Sequence, residues 1–501
     1  MKNVIGFSLV LIFILSCNIF FKENTVREAI RQFPNGLDPA SNLNVDEVQI
    51  YSQIYESLFR ISEVGNNIIP NLAKQIVIAP NNDSFIIQLR SNVYFHDGKL
   101  LCSGDVKASF EWQTQKYPKS SVFEMVDSIQ ILDSLQLRII LKYPYSSFPY
   151  LLASPFGLAI MSQDAIKKYG QSIKFNPVGT GPFRLVKWEP GKQIELCSYS
   201  YYWQKKNNLD AIIFKHYSDK YEREESILSD ETDILYVISG YSVDRLRWLG
   251  KINYQIIPAS SVFFVGFNND SRPFHDRRVR KAVLKAINLP KLVLNVNRGN
   301  AMVANNPLPP IYLQDSKLMQ DNYDIQTAKQ LMKDAGYEDG LTLNFYFPKV
   351  AYYRNTIIEI LKSELSKIGI ILKFQEYNSW EEHTKAVKSD SSQIFIYGGK
   401  NEIIGDAESF LRSFFHSKSE FNTLHYQNAR VDEWLDQARL ESDPGRRQEL
   451  YKKITEQILA DTPAVFLYHV KPHFAYNREK IKTLPVNPYG IIQYHKIELN
   501  N

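Results

Sequence analysis

The first part of the chain shows the alternation of apolar and polar positions that is typical of strands. Every second residue from Phe85 to Leu89 is apolar, which predicts a strand with one buried face. Asp97-Gly98 predicts a tight turn, and Ser103 predicts the N-cap of a helix. We therefore expect a mixed, strand-rich architecture in this part of the chain.

The second part of the chain alternates helical spacing with strand-like runs. Asp276, Asp324 and the pair Asp443-Pro444 each precede apolar residues at helical spacing and predict helix N-termini. Gly336 and Gly369 predict helix ends. Residues 341–347, 370–374 and 464–469 predict strands. This order predicts an α/β domain in which helices cover a sheet.

Composition agrees with a soluble protein of several domains. The 501 residues suggest two or three domains, and 44% apolar with 23% charged residues is an ordinary globular balance. The net charge is only +5, and there is no long basic block. A nucleic-acid-binding function is therefore not indicated.

The sequence lacks the common catalytic motifs. It contains no P-loop, no G-x-S-x-G and no H-E-x-x-H. The nine histidines are dispersed, and Pro472 separates His469 from His473, so a helix that presents both is not expected. We expect no metal site, no cofactor and no enzymatic activity.

The amino terminus has the pattern of an export signal. Lys2 precedes an apolar run over residues 4–15, which is shorter than the roughly 20 residues that span a bilayer. Ile14-Leu15-Ser16-Cys17 resembles a bacterial lipobox, which implies cleavage before Cys17 and acylation of its thiol. The alternative is an uncleaved signal anchor. Both place the chain outside the cytoplasm, attached to a membrane by its amino end. Residues 23–25 would form part of a short polar tether.

Two further cysteines, Cys102 and Cys197, lie far apart in the sequence. An exported protein could join them in a disulfide, but two cysteines do not make a framework. We expect two separate thiols that are mostly buried.

Several segments resemble bacterial extracytoplasmic solute-binding proteins of the peptide/nickel ABC-importer class, the oligopeptide- and dipeptide-binding proteins. The segments follow one another in that family's order over nearly the whole mature chain. They are Pro34-Asn35-Gly36-Leu37-Asp38-Pro39, Tyr55-Glu56-Ser57-Leu58-Phe59, Phe95-His96-Asp97-Gly98 with residues 103–110, Pro177-Val178-Gly179-Thr180-Gly181-Pro182-Phe183, Tyr202-Trp203, Gly266-Phe267-Asn268 with residues 273–282, and residues 328–337.

Most of these motifs have a structural interpretation. We expect Gly179 and Gly181 to adopt backbone angles that are closed to other residues. We expect Asp276 to cap a helix, with Arg277, Arg278 and Arg280 forming a solvated basic face rather than a ligand clamp. The motifs therefore indicate the fold and leave the ligand open.

The resemblance implies an α/β, two-lobed periplasmic-binding-protein fold with a hinge and an extra subdomain in the first lobe. By analogy, residues 1–16 are the signal peptide and residues 17–25 the lipidated tether. The discontinuous first lobe comprises residues 24–62, 178–262 and 470–501, with the extra subdomain at 63–177. The second lobe comprises residues 263–469. Such a protein is expected to be a monomer that closes on its ligand and then docks on a permease.

The resemblance also implies where a ligand would bind. An extended peptide can be bound through its backbone, with its terminal charges neutralised by the protein. For each aromatic candidate, core packing is the alternative role. The candidate ligand-binding residues are Tyr236, Phe264, Asn268, Trp380, Tyr397, Gly398, Gly399 and Glu402.

One position departs from the family pattern. Peptide binders of this family carry an aspartate for the peptide ammonium a few residues before the motif that here reads Asp406-Ala407-Glu408-Ser409-Phe410-Leu411. The corresponding residue is Ile403, and the nearest acid is Glu402. Either Glu402 takes over this role, or the cleft does not bind a free amino terminus in the usual way.

The expected function is a lipid-anchored substrate-binding protein that delivers oligopeptides to an ABC importer. The alternatives are the same fold with a non-peptide solute, such as a nickel chelate, haem or a saccharide, or a sensory, adhesive or enzymatic lipoprotein.

Overall fold

The computed structural model describes most of the chain after residue 22. The described residues are 23–40, 45–62, 67–116, 121–155, 157–204, 208–237, 240–248, 251–257, 261–298, 300–313, 317–349, 354–389, 391–398, 406–471 and 473–500. Cys17 of the lipobox lies outside them. No helix within these ranges is both long enough and apolar enough to cross a membrane.

The first sheet has seven strands. Their order is β10 (Phe183–Glu189), β11 (Gln193–Ser198), β12 (Ala211–His216), β1 (Thr25–Ile30), β13 (Ile234–Val237), β21 (His473–Asn477) and β14 (Ile252–Ile256). The central strand β1 is parallel to β12 and β13, and the other pairs are antiparallel. Because β1 begins at Thr25, the expected tether overlaps the sheet at this residue.

The second sheet has six strands and follows the expected α/β pattern. Their order is β16 (Ala301–Val303), β20 (Ala464–Val470), β15 (Phe263–Phe267), β19 (Ile394–Gly398), β17 (Leu341–Pro348) and β18 (Ile370–Tyr377). Strand β17 is parallel to both β18 and β19. The sheet separates two apolar clusters, so helices cover both of its faces.

The third sheet has four antiparallel strands and its own apolar core. Its order is β5 (Ala73–Ile78), β6 (Ser84–Leu89), β8 (Gln136–Leu141) and β7 (Val126–Ile131). Phe85, Ile87 and Leu89 are buried, as their alternation predicts. Three two-stranded pairs complete the described strands: β2 (Glu56–Ser57) with β9 (Ala159–Ile160), β3 (Phe59–Ile61) with β4 (Ile68–Pro70), and β22 (Ile481–Thr483) with β23 (Glu498–Leu499).

The predicted N-caps at Asp276, Asp324 and Asp443 are confirmed, because each carboxylate accepts a hydrogen bond from a backbone N–H of the first turn. The helices are α1 (Val45–Tyr51), α2 (Ser103–Lys116), α3 (Ser121–Glu124), α4 (Phe148–Leu151), α5 (Gln163–Tyr169), α6 (Lys220–Leu228), α7 (Gly240–Arg247), α8 (Arg277–Ala286), α9 (Leu289–Asn297), α10 (Ile325–Asp334), α11 (Arg354–Ser366), α12 (Trp380–Val387), α13 (Ala407–Phe415), α14 (Ala429–Leu440) and α15 (Pro444–Asp461). Residues Gly170–Phe175 and Tyr494–Lys496 form 3₁₀ turns.

Among the described strands, the chain passes between the first and second sheets twice. It leaves the first sheet after β14 and enters β15, and it returns from β20 to β21. His469 near the end of β20 contacts the first crossing, with its Nδ1 3.1 Å from the carbonyl oxygen of Ser261. The fold is the two-lobed α/β fold that the sequence predicts.

Three segments that the sequence singles out meet at one buried carboxylate. Glu56 accepts hydrogen bonds from Thr180 Oγ1 (2.9 Å), Trp203 Nε1 (2.9 Å) and Tyr202 Oη (3.2 Å). Burial raises the pKa of Glu56 to about 7, and these donors oppose the rise. This carboxylate therefore joins β2, the glycine-rich turn and the Tyr-Trp segment in one structural junction.

The glycine-rich turn needs glycine for a different reason from the one predicted. Gly179 and Gly181 do not have positive φ angles. A Cβ on Gly179 would lie 2.0 Å from the carbonyl oxygen of Ile54, and one on Gly181 would lie 2.5 Å from that of Gln53. Close approach of two backbones, rather than an unusual backbone angle, excludes side chains here.

Two further local predictions are wrong. Ser103 is the first residue of α2 rather than its N-cap, and its hydroxyl donates to the carbonyl oxygen of Asp133. Arg280 is not part of a solvated face, because its guanidinium is buried and donates to backbone oxygens of Phe274, Asp461 and Thr462.

The remaining cysteines behave as predicted. Neither Cys102 nor Cys197 forms a disulfide within the described residues; Cys197 is buried and Cys102 is partly buried. The turn at Asp97-Gly98 is also confirmed, since Gly98 has a φ of 83° and Phe95 N–H donates to the carbonyl oxygen of Lys99 (2.8 Å).

Candidate functional site

The carboxyl ends of parallel strands in the second sheet form the first half of the candidate site. Strands β17, β18 and β19 run in the same direction and end at Pro348, Tyr377 and Gly398. In open α/β sheets, ligands bind in the crevice outside such ends. Helix α12 begins just after β18, so Trp380 lies at this edge.

An aromatic cluster occupies this edge. The ring centroids of Trp380 and Tyr397 are 5.7 Å apart at an interplanar angle of 69°, and Tyr397 packs on Phe414 at 5.5 Å. Trp380 and Tyr397 are half-buried, so part of each side chain is accessible to solvent. Together they provide an apolar surface that can contact a ligand.

Phe264 lies beneath this surface and is only 1% exposed. It is paired with Tyr397 across β15 and β19, and their ring centroids are 5.8 Å apart. Its ring also packs on Phe414 and Phe466. The structure therefore places Phe264 in the core, where it supports Tyr397 and has no free face for a solute.

His383 fills the space behind Trp380 and Tyr397. Its ring centroid is 5.7 Å from that of Trp380 and 6.0 Å from that of Tyr397. Burial lowers the pKa of His383 to about 4, although the backbone of Tyr346 opposes this change. The imidazole is therefore neutral at physiological pH and serves as an uncharged ring in the cluster.

Gly398 ends β19 and has a φ of +138°. A Cβ at this position would lie 2.5 Å from the carbonyl oxygen of Val262, so only glycine fits. Two candidates from the sequence, Gly399 and Glu402, lie outside the described residues, and so does Ile403. The described chain resumes at Asp406, which caps α13 through its bond from Glu408 N–H (2.9 Å).

Asn268 is placed at the opposite edge of the same sheet. Strand β15 is antiparallel to β19, so its carboxyl end meets the amino end of β19 at Ile394. Asn268 is 1% exposed; its amide lies 3.4 Å from Ser392 Oγ and its side-chain oxygen accepts from Asp270 N–H (3.1 Å). It organises a turn and does not share an edge with Trp380 and Tyr397.

The carboxyl ends of parallel strands in the first sheet form the second half of the candidate site. Strands β1, β12 and β13 are parallel, and the chain crosses from β12 to β13 over β1 through α6. Tyr236 lies near the end of β13, half-buried, with its ring centroid 5.2 Å from that of Phe474. Burial raises the pKa of Tyr236 to about 12, so its hydroxyl stays protonated.

Arg31 and Asp46 also lie at this edge, and the sequence analysis does not identify either of them. Arg31 directly follows β1, and its side chain is 44% exposed. Its Nε lies 3.9 Å from Oδ2 of Asp46, whose side chain is 7% exposed and also accepts from Gln32 N–H (3.0 Å). Within the part of the chain that the structure describes, Asp46 is the ion-pair partner of Arg31, so guanidinium donors remain for an anionic group. A strand predicted over residues 25–30 would have indicated Arg31, because it directly follows the end of that strand.

The structure thus brings Trp380, Tyr397, Gly398 and the supporting Phe264 together on one sheet, and places Tyr236 on the other. Within the described ranges, no group of three or more His, Cys, Asp or Glu side chains could hold a metal ion. The accessible chemistry is an apolar aromatic surface at one edge and a guanidinium at the other.

Comparison with known proteins identifies related molecules. Residues 67–422 match the family described as bacterial extracellular solute-binding proteins, family 5 middle. The glutathione-binding protein GsiB of Pectobacterium atrosepticum is 28% identical over 475 residues, which cover 92% of each chain. The structure of HbpA2 from Haemophilus parasuis aligns with a TM-score of 0.88 and 23% identity, over 95% of this chain and 100% of that one. The periplasmic binding protein DppA from Helicobacter pylori, in complex with the peptide STSA, aligns with a TM-score of 0.78 and 24% identity, over 95% and 98% of the two chains.

The neutral state of His383 predicts a pH dependence of stability. Its pKa is lowered from 6.5 to about 4 by folding, so the unfolded chain binds the proton first, and stability falls as the pH falls from about 6.5 through about 4. We expect His383→Phe to reduce this loss, measured as the difference in Tm between pH 7 and pH 4.5.

The matched control is His275→Phe, because His275 is exposed. It should keep the wild-type pH dependence. Both variants should still lose some stability at low pH, because burial also lowers the pKa values of His96 and His469 to about 4. Equal pH dependence of wild type and His383→Phe would contradict the neutral, buried assignment.

Proposed function

The chain belongs to family 5 of the bacterial extracellular solute-binding proteins, and from this membership we propose that it captures a short peptide and delivers it to the permease of an ABC importer. The family is one of binding proteins outside the cytoplasm, so the chain binds a solute rather than transforming it. The finer steps of the proposal concern the ligand, the anchor and the partner.

The peptide proposal rests on one observation: the strand ends of the two sheets carry different binding groups, one apolar and one charged. One edge offers the aromatic rings of Trp380 and Tyr397, and the other offers the guanidinium of Arg31 beside Tyr236. A short peptide carries apolar side chains together with a terminal carboxylate. Arginine binds a carboxylate through directed, charge-assisted hydrogen bonds, and aromatic rings cover apolar side chains without strict selectivity.

Related proteins support the same ligand class. GsiB of P. atrosepticum is a glutathione-binding protein, and glutathione is a tripeptide. The DppA structure contains the tetrapeptide STSA. A peptide of three or four residues is therefore our first choice, with glutathione as the first compound to examine.

We propose that the two sheets define the two lobes. All strands of the seven-stranded sheet fall within residues 24–62, 178–262 and 470–501, and all strands of the six-stranded sheet fall within 263–469, apart from Val470 at the end of β20. The four-stranded sheet falls within 63–177 and would be the extra subdomain. The ligand would lie between the first two sheets and be enclosed by rotation about the two chain crossings.

The proposal assigns the amino end of the peptide to Glu402. Glu402 is the acid nearest to the family position that Ile403 occupies, and a carboxylate there would neutralise a buried ammonium. Ligand affinity that is insensitive to both N-acetylation of the peptide and Glu402→Gln would exclude this role.

A binding experiment tests the peptide proposal. Isothermal titration calorimetry with glutathione, a free tetrapeptide, nickel(II) with histidine, haemin and a disaccharide should show binding of a peptide only. We expect Trp380→Ala to weaken that binding about tenfold or more, because the indole contributes a large desolvated surface. Trp248→Ala is the control, since Trp248 is 90% exposed, and it should bind like the wild type. Binding of a non-peptide compound alone would support the alternative solutes named above.

A second binding experiment tests the role of Arg31. Arg31→Ala should weaken binding of a peptide with a free carboxylate roughly tenfold, because it removes a charged hydrogen-bonding group. The same substitution should have little effect on the C-terminally amidated peptide, which the wild type should already bind more weakly. Equal losses for the two peptides would show that Arg31 does not bind the carboxylate.

We also propose that Cys17 carries the lipid that anchors the protein on the outer side of a membrane. The support is the short apolar run followed by Ser16-Cys17. Labelled palmitate should enter the wild-type protein but not Cys17→Ala, which should be released or misprocessed. An unlabelled wild-type protein would contradict the lipoprotein assignment.

A further inference from the structure

The four-stranded unit, which comprises β5–β8 and the side chains packed around them, contacts the second sheet's helices through polar groups. Asn82, in the turn between β5 and β6, uses both ends of its amide. Its Nδ2 donates to the carbonyl oxygen of Leu440 (2.9 Å), and its Oδ1 accepts from Ser442 Oγ (2.9 Å). Nearby, Ser146 N–H donates to the carbonyl oxygen of Arg439 (2.9 Å). These bonds join the four-stranded unit to the end of α14 and the turn before α15.

Two arginines of the second lobe lie over tyrosines of the four-stranded unit. The guanidinium carbon of Arg439 is 4.9 Å from the ring centroid of Tyr143 and 5.1 Å from that of Tyr145. That of Arg447 is 5.8 Å from the ring centroid of Tyr150. Cation–π attraction therefore adds to the hydrogen bonds at the same contact.

The same contact extends to Asp406, the N-cap of α13. Its carboxylate is buried. It accepts from Tyr451 Oη and lies 3.4 Å from an Nη of Arg447. Arg447 thus holds Asp406 on one side and lies over Tyr150 on the other. A shift of Asp406 would therefore move the guanidinium of Arg447, which lies over the ring of Tyr150.

We propose that this contact is a latch that sets the balance between closed and open forms of the protein. The inference rests on the proposed function, in which a solute is enclosed between the two sheets. The four-stranded unit and the second sheet have separate apolar cores, and the contact between them is polar. A polar contact can separate into water at modest cost, as transient interfaces do.

The latch matters because few chain connections fix the position of the second sheet relative to the rest of the structure. Among the described strands, the second sheet is joined to the first by two chain crossings, from β14 to β15 and from β20 to β21. Within the same residues, no strand pairing continues from the four-stranded sheet into the second sheet. Side-chain contacts such as those of Asn82 therefore help to hold the relative position of the two.

The test uses Asn82→Gly in the purified full chain. Asn82 has a φ of 57°, so glycine keeps its left-handed backbone conformation while removing both hydrogen bonds. The matched control is Asn92→Gly, since Asn92 has a φ of 61°, belongs to the same unit and is exposed. Ser442→Ala removes the bond from Ser442 Oγ to Asn82 Oδ1 by a change on the other side of the contact. Because Ser442 is exposed, this variant tests the same contact if Asn82→Gly fails to fold.

The first readout is the radius of gyration of the ligand-free protein in small-angle scattering. We expect the ratio of closed to open protein to fall about tenfold in Asn82→Gly, with a larger radius of gyration. Ser442→Ala should change in the same direction by less, and Asn92→Gly should match the wild type. Wild-type scattering from both Asn82→Gly and Ser442→Ala would overturn the latch.

The second readout is the dissociation rate of glutathione, followed by tryptophan fluorescence. It should increase by a similar factor in Asn82→Gly and stay unchanged in Asn92→Gly. An unchanged rate in Asn82→Gly would overturn a role of the latch in retaining the ligand. Absence of glutathione binding to the wild type would count against the proposed ligand, while the scattering comparison would still decide on the latch.

Discussion

The constraint on which the structure depends is that two strand-to-strand crossings join its two main sheets. Among the described residues, the seven-stranded and six-stranded sheets share no strand pairing, and their apolar cores are separate. Each sheet therefore has a stable internal geometry, while their relative position rests on weaker interactions. Both sheets present carboxyl ends of parallel strands, which is where binding groups collect. A solute that contacts Trp380 on one sheet and Arg31 on the other would stabilise one relative position of the two.

The most recognisable motifs of the chain serve the first lobe's architecture rather than its ligand. Glu56 joins the Tyr-Glu-Ser segment to Thr180 of the glycine-rich turn and to Trp203. His96 of the Phe-His-Asp-Gly segment adds to this junction, because its Nε2 donates to the carbonyl oxygen of Gly181 (2.9 Å). Such a junction can be common to proteins with different solutes. This explains why the motifs indicate the family clearly and leave the ligand open.

The sequence predicts features that depend on neighbours along the chain and misses those that depend on pairing at a distance. The caps at Asp276, Asp324 and Asp443 are right because a cap bonds to its own first turn. The reason given for Gly179 is wrong because the obstacle, Ile54, is far away in sequence. The resemblance to the family suggests Asn268 for the cleft, but strand direction is not visible in a sequence, and β15 runs opposite to β19. Arg31 is not evident from the sequence because the short strand before it follows closely on the apolar amino-terminal segment.

The central claim is that a short peptide with a free carboxylate is the solute held between the two sheets. The most direct measurement is mass spectrometry of the small molecules released by denaturing protein purified from its native host. The account predicts peptides of about three or four residues with free carboxyl ends, released in proportion to the protein and depleted in Trp380→Ala. Release of a stoichiometric compound that is not a peptide would contradict the account.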